Sequence, residues 1–313
     1  MGSHAQQNGH SDSPESDFPE LGVKKFQSDV SYSHGSGVDP IKYYNVREFY
    51  REELAPTSVS FANMWPSGEK VAIKKIFKDY LINDFLRSQA IQECQLTSSL
   101  QHPNIVKAYE WFEDEKEFSL ILEYIDKATY FKEKIETNLS PIKNETKLKS
   151  YISDILEGLV YLHSKGIIHG DIKLENLLLS SNEDQEAGIP TVKLCDFGLS
   201  RFIDKETGKA YMESPVGSIH YMAPEIRSKA YVDEKIDMWA LGIVLYKMAV
   251  AYKPTQIAGY KYDQGPVPFR KVDWRKRSPE LQDLIAQMLK MDPTQRISAK
   301  DALNHPWFQK ISS

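Results

Sequence analysis

The sequence predicts an α+β chain in two lobes, a small mainly β lobe followed by a larger mainly α lobe. Three observations carry this. Between about residues 41 and 125, short apolar runs with strand character are broken by turn residues and by one stretch of helical periodicity. After Ile125 the apolar spacing turns helical and remains so to about residue 310. The chain has 313 residues, 41% hydrophobic and 27% charged, enough for one large domain or two lobes with a substantial buried core.

Residues 1–40 are rich in Ser, Gly, Asp and His and poor in large apolar side chains. Such a tail buries too little surface to offset the cost of ordering and is expected to be disordered. Strands are expected over SVSFANM (58–64), KVAIKKIF (70–77) and FSLILEYI (118–125), with a turn at PSGE (66–69). Residues 79–100 carry helical spacing between the second and third of these strands. Over 145–165, Leu148, Tyr151, Ile152, Ile155, Leu159 and Leu162 fall on one helical face. LENLLLS (174–180) and TVKLCDF (191–197) read as short strands around an acidic insert at 181–190. Helical patterns return at 233–252, 278–290 and 298–305. The run MWALGIVLYKMAVAY (238–252) is interrupted by Lys247 and is too short to span a bilayer, so it reads as a buried core helix.

The acidic tail accounts for −4 of the net charge of −5, and the remaining residues hold 37 basic and 38 acidic groups. That balance calls for neither nucleic acid nor an anionic membrane as the main partner. Cys94 and Cys195 form no metal-ligand pattern and no disulfide framework, which favours a reducing compartment, cytoplasmic or nuclear. The N-terminus lacks the apolar core of a signal peptide, and Gln6 stands where a myristoylation motif needs Ser or Thr.

Chemistry concentrates in HGDIKLENLLL (169–179) and DFG (196–198). Asp171 can accept a proton from an attacking hydroxyl. Asn176 and Asp196 can hold Mg²⁺ between phosphates, and Lys173 can neutralise a phosphoryl group in flight. Phosphoryl transfer asks for little more than a base, metal ligands and a cation. DFG alone recurs by chance, whereas both motifs in this order and spacing do not.

These residues closely resemble the protein kinase superfamily, in its serine/threonine branch, with the style of calmodulin-dependent-kinase-like and Aurora-like members. The resemblance spans about 43–310. It implies the bilobal protein-kinase fold, with an N-lobe and hinge over 41–125 and a C-lobe over 126–310. It also implies ATP and Mg²⁺ as cofactors, a protein substrate and room for a regulatory protein. VAIK (71–74) matches the strand with the phosphate-binding lysine, Lys74, and Glu93 matches its ion-pair glutamate, nine residues before His102 of HPNIV. A lysine in a short apolar strand ordinarily faces solvent; the register of its neighbours argues otherwise. Leu122 matches the gatekeeper, and Glu123, Tyr124 and Ile125 would offer hinge backbone groups to adenine. Val59, Ala72 and Leu178 match the apolar residues sandwiching the ring, although each alone would read as core packing. Asp171, Lys173 and Asn176 carry over as base, cation and metal ligand. Ser218 matches a hydroxyl bracing the base and Lys173, Glu225 and Arg296 match a buried ion pair, and Asp237 and Trp239 match the helix that anchors the catalytic loop.

Several positions depart from the family. No glycine occurs between Gly37 and Gly68, and the glycine-loop positions fall on Glu52, Leu54 and Thr57. Side chains keep backbone away from phosphate, and each lost charge-assisted hydrogen bond is worth about 1.5–3 kcal/mol. Gly170 replaces an arginine that grips a phosphorylated activation segment, so activity is expected not to need that contact. Thr207, Tyr211, Ser214 and Ser218 remain hydroxyls open to modification. Thr97 and Ala108 stand where larger apolar groups couple the helix to DFG, and Cys195 reads as an apolar filler of the nucleotide pocket. Glu175 matches a position that contacts basic substrate residues, but Thr129 replaces the more decisive acid. Two readings stay open: an active serine/threonine kinase, and a pseudokinase that scaffolds or activates a partner. A third keeps the nucleotide and transfers a different group.

Overall fold

The structure, a computed structural model, describes residues 44–50, 56–64, 67–180, 190–212, 220–227, 231–258, 260–261 and 266–309. The tail, most of the acidic insert, Glu52, Leu54, Ser214 and Ser218 lie outside the described residues.

The N-terminal part is a five-stranded antiparallel sheet with one helix. Its elements are β1 (Tyr44–Tyr50), β2 (Thr57–Met64), β3 (Lys70–Phe77), helix α1 (Asp84–Ser99), β4 (Ala108–Glu113) and β5 (Glu117–Glu123), in the sheet order β1-β2-β3-β5-β4. The expected helix over 79–100 is shorter. Leu81 and Ile82 fit the spacing, but Asn83 caps the helix by accepting from the Leu86 N–H at 2.9 Å. Register fixes the faces. Val59 pairs with Lys74 and Lys74 with Leu120, while Phe61 pairs with Ala72 and Ala72 with Leu122. Opposed residues share a face, so these six look the same way. Farther along that face, Ile76 and Phe118 pack on Ala90 and Cys94 of α1.

The larger part is helical. It holds α2 (Glu145–Ser164), β6 (Ile167–Ile168), β7 (Leu177–Ser180), β8 (Thr191–Leu194), β9 (Arg201–Phe202), β10 (Ala210–Tyr211) and β11 (Tyr231–Val232). Then come α3 (Lys235–Val250), α4 (Lys271–Trp274), α5 (Pro279–Met288), α6 (Ala299–Leu303) and α7 (Pro306–Gln309). All six apolar residues expected along α2 are buried. Helix α3 is buried all round, as its continuous apolar run requires. No helix among the described residues is long and apolar enough to cross a membrane.

LENLLLS divides differently from expectation. Leu174–Asn176 form a 3₁₀ turn and only Leu177–Ser180 are strand. The loop's own polar demands win: Asn176 turns back to bond Asp171, and its carbonyl accepts from the Cys195 N–H at 3.1 Å. The second of these strands likewise stops at Leu194.

Helix α2 also meets β8 through a carboxylate. Asp154 accepts from the Val192 N–H at 2.8 Å, and burial pushes its carboxyl up to about 6. A folded-state pKa above the unfolded one means the native state holds the proton more tightly. Stability from this group is therefore present at low pH and lost as pH rises from about 4 through about 6. Asp154→Asn is expected to melt higher than the native chain at about pH 7.5, by about 2–4 °C, and to lose that gain near about pH 4. Equal melting at both pH values would remove Asp154 as the cause.

Candidate active site

Three elements bring charge to one point. Lys74 on β3 donates to Glu93 Oε1 on α1 at 2.5 Å and to Asp196 Oδ1 at 2.8 Å. Burial alone would pull the Lys74 ammonium down, but the carboxylates of Asp196 and Glu93 outweigh it and hold it up. In return Lys74 holds the Asp196 carboxyl at about 2, so it stays ionised near neutrality. Asp196 sits at φ +67, in the left-handed region, with its side chain 40% exposed toward the cleft. Gly198 packs tightly here: a Cβ on it would lie 3.0 Å from Glu93 Oε2. Phe197 is buried, its ring centroid 5.0 Å from that of His169.

The loop below is a closed hydrogen-bond circuit. Lys173 Nζ donates to Asp171 Oδ2 at 2.5 Å. Asn176 Nδ2 donates to the Asp171 carbonyl at 2.9 Å and to Asp171 Oδ2 at 3.1 Å. His169 Nδ1 accepts from the Asp171 N–H at 3.3 Å, which leaves Nε2 to donate to the Cys195 carbonyl at 3.1 Å. Asp237 of α3 anchors the loop by accepting from the N–H groups of His169 and Gly170, each at 2.9 Å, and from His163 Nε2 at 2.9 Å. Burial opposes its charge, yet the bond from His163 keeps the carboxyl below its usual range. Trp239, two residues on, lies fully buried with the Arg296 guanidinium 5.1 Å over its ring.

Gly170 has a backbone reason. It sits at φ +80, and a Cβ there would meet the Leu199 carbonyl oxygen at 2.6 Å. Ser200 Oγ donates to the His169 carbonyl at 3.0 Å, so the segment after DFG packs directly on the loop. Restoring the family's arginine by Gly170→Arg is expected to cost about 1–3 kcal/mol, or several degrees of melting temperature. An unchanged melting curve would show that Leu199 yields freely.

The cleft walls follow the register. Val59, Phe61, Ala72 and Leu122 share the sheet face that holds Lys74. Leu178 pairs with Lys193, whose Nζ donates to Glu123 Oε1 at 2.8 Å, so that face of β7–β8 turns to the end of β5. Phe61 was not singled out in the sequence. Its ring meets Tyr124 edge-on, centroids 5.4 Å apart, beside Ile125. A cavity beside Leu122 is lined by Lys74, Thr97, Cys195, Asp196 and Phe197. Burial pushes the Cys195 thiol up, in keeping with a filler. Thr97 turns its hydroxyl to the Glu93 carbonyl at 2.7 Å, and α1 reaches the post-DFG segment through Gln92 Nε2, 3.3 Å from the Ser200 carbonyl. Of the hydroxyls after DFG, Thr207 caps a turn at Asp204, with its N–H 2.7 Å from Oδ1, and Tyr211 is exposed.

A family model described as the protein kinase domain matches residues 57–308. The chain belongs to the protein kinase family. A probable myosin light chain kinase of Dictyostelium discoideum is 32% identical over 86% of the chain and 54% of the relative. An Aurora kinase of the same organism is 32% identical over 77% of the chain and 59% of the relative. The mouse serine/threonine-protein kinase DCLK3 is 34% identical over 70% of the chain and 27% of the relative. The chain thus spans from about a quarter to just over half the length of these curated relatives. They place the kinase domain in the serine/threonine branch, and the two lobes above are those of the family's fold.

Proposed function

We propose that this chain transfers the γ-phosphoryl group of ATP to serine or threonine hydroxyls of protein substrates inside the cell. The observation supporting this is the single bonded cluster of Lys74, Glu93 and Asp196 above the Asp171–Lys173–Asn176 circuit. Asp171 serves as base for the substrate hydroxyl, and Lys173 neutralises the moving phosphoryl group. Lys74, oriented by Glu93, meets the nucleotide's phosphates. Val59, Ala72, Leu122 and Leu178 enclose the adenine, with the backbone of Glu123 and Ile125 at its edge. The lobes divide at the hinge, 41–125 above and 126–310 below.

The donor set fits Mg²⁺. Among the described residues, both side-chain hydrogen bonds of Asn176 use Nδ2, which leaves Oδ1 for a cation, and Asp196, whose Oδ1 accepts from Lys74, keeps Oδ2 on a partly exposed side chain. Two oxygen ligands completed by phosphate and water suit this ion. When bound, the metal neutralises charge on the phosphates.

One observation favours a second reading, a pseudokinase that acts by contact: the absence of glycine between Gly37 and Gly68. Two lost backbone contacts correspond to nucleotide binding weaker by about a hundredfold or more. The deciding experiment incubates the purified chain with Mg²⁺, γ-labelled ATP and a generic protein acceptor. Label on serine or threonine is expected; none at saturating ATP would leave the pseudokinase reading.

A further inference from the structure

Helix α3 buries a lysine. Lys247 has a side chain 6% exposed and is ion-paired to Glu136. Glu136 comes from Lys132–Thr137, which winds as a π-helix, an irregular turn common at functional sites. The Tyr221 hydroxyl donates to Glu136 Oε1 at 3.1 Å and accepts from Lys247 Nζ at 3.1 Å. The backbone of Leu174 reaches the same phenol. Leu174 opens the turn between Lys173 and Asn176, so this cluster underlies the loop that carries Asp171.

Two further charges face the cluster. The Lys253 ammonium lies 5.0 Å over the Tyr221 ring, within electrostatic reach of Glu136 and Glu175. It makes no ion pair with a described residue. Glu175 Oε2 is buried and has no hydrogen-bond partner among the described residues. Glu136 and Lys247 sum to no net charge, which leaves one cation and one acceptor oxygen beside the loop that carries Asp171. A substrate arginine would satisfy Glu175 but meet Lys253 as a like charge. A glutamate would satisfy Lys253 but meet Glu175. A neutral side chain that both donates and accepts satisfies both, and a buried polar group left unmatched costs about 1–3 kcal/mol.

We infer that Glu175 and Lys253 form a subsite for an asparagine or glutamine flanking the phosphoacceptor, and that Lys253 is the residue excluding arginine there. This rests on the reading of Asp171 as the base that receives the substrate hydroxyl. Glu133, held by Thr129 Oγ1 at 2.6 Å, is exposed and therefore screened, so it does not decide the preference.

Serine peptides carrying Gln, Arg, Glu or Ala at each neighbouring position test this on the full chain. At one position kcat/KM is expected to favour Gln over Arg by about fivefold to tenfold, a difference near 1–1.4 kcal/mol. Lys253→Met and Lys253→Gln should both turn that preference toward Arg, and Glu175→Gln should turn it toward Glu. The same peptides, fluorescently labelled, are ranked by binding to the Asp171→Asn chain. Absent turnover with the binding order intact would sink the catalytic reading alone. Arginine preferred at every position, an order unmoved by Lys253→Met, or no peptide binding in that assay would overturn the subsite.

Discussion

Replacing Asp171 with asparagine is expected to lower kcat by about 10²–10⁴-fold, with the KM for ATP steady and the melting temperature within a few degrees. The substitution keeps shape and one acceptor oxygen. The loop's backbone stays pinned by His169 Nδ1, by Asn176 Nδ2 on the Asp171 carbonyl and by Asp237 on the two preceding N–H groups. What disappears is proton affinity at the atom that Lys173 and Asn176 orient. Lys74, the cation proposed to meet the phosphates, bonds Glu93 and Asp196 rather than Asp171, so nucleotide affinity has little reason to change. Steady-state kinetics with a peptide acceptor measure this, and a variant keeping more than about a tenth of native kcat would remove Asp171 from the role of base.

A second large effect is one of stability. Arg296 is fully buried and makes a two-pronged pair with Glu225, at 2.6 Å and 3.0 Å. It also donates to the carbonyls of Lys235 at 2.8 Å and Lys290 at 3.0 Å. Arg296→Met alone removes the two-pronged cation from the buried Glu225 carboxylate and is expected to cost about 3–5 kcal/mol. Removing both charges, with Arg296→Met and Glu225→Leu together, should recover much of that loss, because an orphaned charge costs more than an apolar pair of similar volume. Melting curves of the single and double variants decide it. A double variant no more stable than the single one would mean the carbonyl bonds, not the ion pair, carry the stability.

The bonded cluster of the candidate site was largely legible because most of its parts lie close in sequence. Asp171, Lys173 and Asn176 fall within six residues, and the spacing alone foretold one loop. Lys74 and Glu93 needed only a strand and a helix between them, both visible as periodicity. The supporting ground was harder to read. Lys247 showed only as a break in an apolar run; its partner Glu136 lies 111 positions away, on an irregular turn that no period announces. Gly170 was legible as a missing side chain but not as a backbone position, since neither its φ of +80 nor the Leu199 carbonyl beside it leaves a trace in composition. Strand β4, AYEWFE, carries a bulge opposite β5 and so lacks clean alternation. Helix ends moved inward wherever a local cap, as at Asn83, outcompeted continued apolar spacing.

One carboxylate at the end of β5 ties three segments together. Glu123 Oε1 accepts from the Lys107 N–H at 2.7 Å and from Lys193 Nζ at 2.8 Å, while its own N–H donates to the Lys107 carbonyl at 2.9 Å. The end of β5, the residue just before β4 and β8 of the helical part are thereby tied at a single carboxylate. A carboxylate shared in this way resists sliding of β8 against the end of β5.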